Sequence, residues 1–454
     1  VRILAAYRGG ARRAVRNRRG SGLVGRSAGA EIGVSHDLPP LMPLEVARAR
    51  MLDGLTALPT EVVALGDAAG RVLAEDLVSR HTLPPWDNSA MDGFAVLATD
   101  TSLASRESPS RLEVVGEAAA GRVTDDVVTP GTAVRILTGA PLPKGADAVV
   151  PVENTDAQPG VADLPRDVSI HSAASPGAHV RRAGSDLIAG AQLLAPGIEL
   201  TPAALAVAAA GGHARVTVQQ RPRVAILATG DELVAPGEPL GPAQIPDSNT
   251  SGLAAQAREL GADVQILGIA RDELADVLAH LRRGLEWADV IVASGGVSVG
   301  AHDVVKDAFN EIGHIDLWRI AVQPGRPLAF GRAKKGSREV LLFGLPGNPV
   351  SSLVTFELFV RPVLRRLAGH EDVIGRDIVR ATLEQPVSKA QNRRAFIRVK
   401  LTAVQDGNGW RADLAGGQDS HVLSALAAAD GLAIIGEEHD SVAAGTEVEV
   451  IRIR

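Results

Sequence analysis

Apolar runs and polar breaks alternate most regularly between Arg223 and Leu367. Arg223-Val-Ala-Ile-Leu-Ala and Asp289-Val-Ile-Val-Ala are continuous apolar runs, the pattern of strands buried on both faces. Val264 to Ile269 predicts another strand between them. Leu253, Ala254, Ala257 and Leu260 recur at three- and four-residue spacing, one face of a helix, and Asp247-Ser248-Asn249 supplies capping side chains just before it. A second helix is predicted over about Glu273 to Leu285, and a third carries Val304, Val305, Ala308 and Phe309. Strands and helices alternating at this length predict a parallel doubly wound sheet, whose ligands sit beyond the carboxyl ends of the strands.

The flanks read differently. From Pro43 the chain is predicted helical, with Leu44, Ala47, Met51, Leu52 and Leu55 on one side, and Thr60 to Arg71 predicts a strand and turn. Ala203 to Ala210, closed by Gly211-Gly212, predicts a buried helix followed by a strand. This helix is expected to pack on the Pro43 helix, so that segments 42–80 and 187–220 make one elongated domain around an inserted β domain, 81–186. Beyond a central α/β domain, 221–369, strand-like runs at Ile378 to Leu383, Ala395 to Val404, Trp410 to Leu414, Leu432 to Ile435 and Val448 to Ile453 predict a C-terminal β domain, 370–454, of barrel type. The fold class is multidomain α/β plus β.

Composition narrows the chemistry. The 454 residues are 45% hydrophobic, ample for several cores. Cysteine is absent, which excludes thiolate nucleophiles, disulfides and Cys-based metal sites. A net charge of −6 argues against a general nucleic-acid binder, and no run of eighteen apolar residues predicts a membrane span, so a soluble cytoplasmic protein is expected. Residues 1–41 form a basic, Gly/Ala/Ser-rich extension with no acid before Glu31. It reads as a flexible tail or translated upstream sequence, with Met42 as the functional start.

The candidate chemistry lies at the ends of the central strands. The first apolar run ends in Thr229-Gly-Asp231-Glu232-Leu, and the third in Ser294-Gly295-Gly296-Val-Ser298-Val-Gly-Ala-His-Asp303. Such glycines let backbone N–H groups turn toward an anion ahead of a helix N-terminus. Carboxylates beside a phosphate cradle call for a hard cation, and Mg²⁺ accepts one or two carboxylates together with substrate phosphate oxygens. A magnesium-dependent nucleotide or phosphate site is therefore expected. Helix caps and plain turns explain each segment singly; their order within one βα unit is what favours a site.

These segments, with Pro324-Gly-Arg-Pro and Leu345-Pro-Gly-Asn-Pro, resemble the molybdopterin-binding domain of molybdenum-cofactor biosynthesis proteins. A second stretch, Leu83-Pro-Pro-Trp-Asp-Asn-Ser-Ala-Met-Asp-Gly-Phe-Ala-Val, crowds Asp87, Asn88, Ser89 and Asp92 into six positions; from the residues alone Asx-turn chemistry is the favoured reading, and it is the resemblance that reverses this. It is similar to the signature of the molybdopterin molybdenumtransferases, related to the E domain of gephyrin, and so are Gly131 to Glu153 and the Arg181, Gly184, Asp186 pattern. The arginines suit phosphate or molybdate; an exposed salt bridge to Asp186 is the competing explanation.

The resemblance covers about residues 42–454. It implies insertion of molybdate into the dithiolene of adenylylated molybdopterin, with release of AMP and assistance from Mg²⁺. In that reading Asp231, Glu232 and Asp303 hold or position the cation, while Gly295, Gly296 and Ser298 cradle phosphate. Ser248, Asn249, Arg319, Arg326 and the Pro346-Gly347-Asn348 turn contact the ligand. Asp92, Thr138 and Asp186 lie in other domains and, in relatives, reach the cleft across a homodimer. Ser420 and His421 fall where the family has a loop facing the cleft. An adenylyltransferase and the molybdoenzymes that receive the cofactor are possible partners. One departure stands out: Gln323 occupies a position where many relatives carry Lys or Arg. Two alternatives remain, a molybdopterin adenylyltransferase, which the Ser89-to-Gly93 segment disfavours, and a non-enzymatic gephyrin-like scaffold, which the retained acids disfavour.

Overall fold

The computed structural model describes residues 41–158, 160, 163–296, 304–404 and 409–454. A six-stranded sheet organises it, built from β1 (Arg223–Thr229), β2 (Asp263–Ala270), β3 (Val290–Ser294), β4 (Gly313–Arg319), β5 (Pro327–Lys335) and β6 (Arg338–Leu345) in the order β2-β1-β3-β6-β5-β4. Side chains alternate across a strand, so Val224 and Ile226 enter one helical layer and Ala225 and Leu227 the other. This two-sided burial is why the strands read as unbroken apolar runs.

The first layer holds α1 (Asn249–Glu259), through Leu253, Ala254 and Ala257. It also holds the helical stretch from Pro349 to Leu367, which passes through a π-helical segment at Phe356–Val360. The second holds α2 (Leu274–Leu285) and α3 (Val304–Ile312), through Val277, Leu281, Val305 and Phe309. Leu281 and Phe309 are fully buried, worth about 1.5–3 kcal/mol each in transfer free energy.

Two expectations need correction. The sheet is parallel only across β2, β1, β3 and β6; β5 and β4 continue it antiparallel. The cause is local. Two residues, Gly336 and Ser337, join β5 to β6 with Gly336 at φ 61°, and so short a connection can only reverse the chain.

The second correction concerns the Leu44–Leu52 helix. It does not share the core of the Pro202–Ala210 helix. Its Leu44, Ala47 and Met51 are buried with Val363, Leu364 and Leu367 in the sheet's first layer. Ala204 and Ala208 belong instead to a separate small core with Leu73, Leu77, Val216 and Val218. Backbone bonds fix this arrangement: Met42 N donates to Arg319 O (2.7 Å) and Ala321 N to Met42 O (2.8 Å), tying the start of the helix to the end of β4.

The insert folds as expected into a β domain, a five-stranded sheet in the order Ala148–Pro151, Gly93–Val96, Thr132–Ile136, Ser110–Ala118, Asp167–Ile170. At the C-terminus Arg394–Ala403 pairs with both Trp410–Leu414 and Gly431–Ile435, and the ring closes through Ile378–Leu383 and Glu447–Arg452. Closure into a five-stranded barrel removes free sheet edges. Among the described residues no helix is long and apolar enough to cross a membrane.

Candidate active site

Chain order reverses between β1 and β3: α1 leads from β1 to one side, and α2 brings the chain back past β1 to β3. The crevice outside their carboxyl ends is where an open α/β sheet receives a ligand. A cleft of about 1010 Å³ opens there, lined by Thr229, Gly230 and Glu232 from one strand end and by Ser294, Gly295 and Gly296 from the other.

Gly295 is required by this geometry. A Cβ on it would stand 2.3 Å from Thr229 O, and its φ is 98°. On Gly296 a Cβ would stand 2.6 Å from Val305 Cγ2. Bare backbone thus forms the floor between the two strands, and a ligand meets peptide groups directly.

Asn249 ties three segments together. Its Nδ2 donates to Ser294 Oγ and to Gly347 O, both at 2.7 Å, and Ser294 Oγ lies 3.3 Å from Ser352 Oγ. The helix cap falls to another residue: Asp247 Oδ1 accepts from Thr250 N at 3.1 Å, while the Ser248 side chain makes no capping bond. Ser248 is exposed and does not line the cleft. Thr229 Oγ1 and Asn249 Oδ1 are buried beside the cleft without a hydrogen-bond partner among the described residues, capacity that folded chains ordinarily satisfy.

The walls carry opposite charge. On one side stand Glu232 and Asp272, with Asp231 behind them; Asp272 N donates to Asp231 Oδ1 at 3.2 Å. Partial desolvation, then the charges of Asp231 and Glu232, push the Asp272 carboxyl above its usual range. On the other side Arg326 and Arg393 line the cleft. The Arg393 guanidinium is pushed down by desolvation and by repulsion from Arg326 and Arg319, so three cations converge there. Arg319 acts from behind; it does not line the cleft itself.

The barrel contributes the remaining edge. Asn348 Nδ2 donates to Ser420 Oγ at 3.0 Å, and Val350 N to Ser420 O at 3.2 Å, which docks the 418–421 loop on the Pro346–Pro349 turn. Buried Arg398 supports that loop from below, donating to Gly417 O and Asp419 O at 3.0 and 3.2 Å. Ser420 and His421 both line the cleft.

Gln323 has a structural task. Its Oε1 accepts from Ala390 N at 2.9 Å and so holds the barrel loop that leads to Arg393. That loop brings the charge of Arg393 to the cleft that Gln323 also lines. Gln323→Met, which keeps length but removes the acceptor, is expected to weaken anion binding in the cleft about tenfold with little change in melting temperature. Titration with molybdate or sulfate checks this; unchanged affinity would show that the loop holds itself.

Asp92, Thr138 and Asp186 are not brought to this cleft within one chain. Asp92 Oδ1 accepts from Thr138 N (2.7 Å) and Thr138 Oγ1 (2.8 Å) at the edge of a separate cavity of about 690 Å³ in the β domain. Those bonds, the backbone one first, hold the Asp92 carboxyl below the usual carboxylate range. Asp186 is exposed and unpaired with either neighbouring arginine; Arg182 bonds Asp87 at 2.5 Å instead. Ser298 and Asp303 lie outside the described residues. Among those described, no three His, Asp or Glu side chains are arranged to hold a metal ion.

Asp272 and Arg393 were not singled out from the sequence. Asp272 had a usable signal, since it follows the second parallel strand onto the same rim as Asp231. Arg393 had none, because only barrel docking carries it to the cleft.

Comparison with known proteins agrees with this geometry. The MoeA N-terminal region (domains I and II) matches residues 42–212, the probable molybdopterin binding domain 225–366, and the MoeA C-terminal region (domain IV) 380–453. Molybdopterin molybdenumtransferase 2 of Mycobacterium tuberculosis is 44% identical over 397 residues, 86% of this chain and 94% of that protein. The molybdopterin molybdenumtransferase of Haemophilus influenzae is 34% identical over 90% of this chain and 98% of its own length. The crystal structure of a molybdopterin biosynthesis MoeA protein from Pyrococcus horikoshii superimposes with a TM-score of 0.73 at 34% identity, covering 91% of this chain and all of that one. With all three regions matched in order, the chain belongs to the molybdopterin molybdenumtransferase family, transferases of molybdenum-cofactor biosynthesis.

Proposed function

We propose that the cleft binds adenylylated molybdopterin and molybdate, and that molybdate enters the dithiolene with release of AMP. The observation that carries this reading is the split charge of the cleft. Glu232 and Asp272 line the cleft as an acidic pair and Arg326 and Arg393 as a basic one, together with the Gly295-Gly296 floor.

Phosphate oxygens would rest on the peptide groups of Gly295 and Gly296, a close approach that side chains would block. Asn249 fixes the Ser294 hydroxyl and the Pro346–Pro349 turn against this floor. Arg326 and Arg393 would orient molybdate, since guanidinium pairs match a tetrahedral oxyanion by two parallel hydrogen bonds.

The donor set on the acidic wall is all hard oxygen and fits Mg²⁺, with Asp231, Glu232 and Asp272 supplying one or two ligands beside substrate phosphates. Bound there, the cation would neutralise phosphate charge. Asp272 gives a readout independent of turnover. Its folded-state carboxyl titrates above the unfolded value, so the folded state is penalised as pH rises from the unfolded value through the folded one. Asp272→Asn is therefore expected to raise the apo melting temperature at pH 7, and Mg²⁺ to stabilise the wild type more than the variant. Equal Mg²⁺ response in both proteins would remove Asp272 from the cation site.

Asp92, Thr138 and Asp186 would complete the site from the second subunit of a homodimer acting in the cytoplasm. The experiment that tests the reading is AMP release from adenylylated molybdopterin, with and without molybdate and Mg²⁺. Molybdate-dependent release supports it; tight ligand binding with no release under any condition would favour a scaffold.

A further inference from the structure

A second cavity, of about 440 Å³, lies where the small core of Leu73, Leu200 and Val218 meets the central domain, away from the strand ends that form the cleft. Four segments and Glu199 wall it: the 69–72 turn, the 219–222 connection into β1, the end of α1 at 258–261, and the 361–375 stretch. Its lining contains five arginines and two glutamates.

Two of the arginines are structural. Arg71, 8% exposed, donates to Glu61 Oε1 and Gln219 O, both at 2.5 Å. Arg361, 6% exposed, lies 3.4 Å from Glu357 and 3.6 Å from Glu259, and bonds Ile374 O and Gly375 O. They form a fixed, charged base.

The other three have no such partner. Among the described residues Arg221, Arg258 and Arg365 form no ion pair. Arg221 and Arg365 each use one N–H on a backbone carbonyl, Gly261 O and Asp372 O, which anchors the side chain and leaves most of the guanidinium donors unspent. Of these three, Arg365 acts on His370 within the same wall. Desolvation, then Arg365, hold that imidazole down at about 4, so it stays neutral although Glu199 lies 3.8 Å away.

Convergent guanidiniums on a partly buried base, with fewer carboxylates than cations, are the chemistry that recognises a tetrahedral oxyanion. We propose that this cavity is a second anion site, in which Arg221, Arg258 and Arg365 bind a phosphate group, either inorganic phosphate or the terminus of a small phosphomonoester. The ligand would bridge the connection into β1, the end of α1 and the 361–375 stretch, and so fasten the small domain to the central one.

Calorimetric titration of the purified full-length protein with inorganic phosphate and, separately, with ribose 5-phosphate tests this. The variants compared are Arg258→Gln/Arg365→Gln and, for the cleft, Arg326→Gln/Arg393→Gln. The expected result is saturable binding that rises in melting-temperature scans, weakens with salt, falls at least about tenfold in the first variant and survives in the second. Equal affinity for the two probes would identify inorganic phosphate as sufficient, and tighter ribose 5-phosphate an organic ligand. Absence of saturable binding, or binding lost only with the cleft variant, would overturn the proposal. Arg258→Glu alone, at an exposed helix end, provides the same reversal should the double variant fold poorly.

Discussion

Asp92→Ala is expected to lower molybdate-dependent AMP release by about 10²–10³-fold, the usual cost of removing one positioned polar group from a reacting centre. Melting temperature should change little, because Asp92 is exposed and its two bonds come from one neighbour, Thr138. The acid is held ionised, which suits a charged anchor or a base and excludes a proton donor at neutral pH. The sign of the pH effect follows: any stability it contributes is present above the unfolded-state value and is lost as pH falls through the lower folded one. Thr138→Val removes the hydroxyl donor, so the acid limb of the rate profile should move to higher pH; an unmoved limb would dissociate Asp92 from the rate. If the site is shared between subunits, mixing Asp92→Ala with Arg326→Ala/Arg393→Ala protein should restore about a quarter of wild-type activity through mixed dimers. Two inactive proteins that stay inactive when mixed would place Asp92 outside that site.

Gly295→Ala is expected to cost about 1–3 kcal/mol of stability and most ligand affinity together. The added methyl would sit 2.3 Å from Thr229 O, and the residue would have to keep φ near 98°. Neither obstacle can be relieved by a rotamer change, since the opposing atom is backbone at the end of a central strand. The floor must therefore open, separating the ends of β1 and β3. Gly347→Ala is the control: a Cβ there meets only Gly295 Cα at 3.7 Å, an ordinary contact. Thermal melts and ligand titration on both variants decide the matter; a Gly295→Ala protein as tight-binding as Gly347→Ala would show that the peptide groups of the floor do not cradle the ligand.

Local pattern sufficed for much of this molecule. Strands buried on both faces must be apolar at every position, and 224–228 and 290–293 are. The carboxyl-end turns then follow from Gly and Asx chemistry at Thr229-Gly230 and Ser294-Gly295-Gly296. The five C-terminal strands were legible because polar breaks bound each one. What sequence order could not decide was proximity across long separations. That Gln323 spends its carbonyl on Ala390, that Arg393 closes beside Arg326, and that the Leu44–Leu52 helix packs on the 361–367 helix rather than on the alanine helix all depend on how separate cores dock. The antiparallel end of the sheet was likewise hidden, because a two-residue turn at Gly336 carries little periodicity to read. The sequence determined the strands, the turns and the chemical character of the rim. Docking of the barrel and of the first helix onto the sheet decided which charges meet there, since contacts between residues far apart in the chain are set by packed surfaces and not by local period.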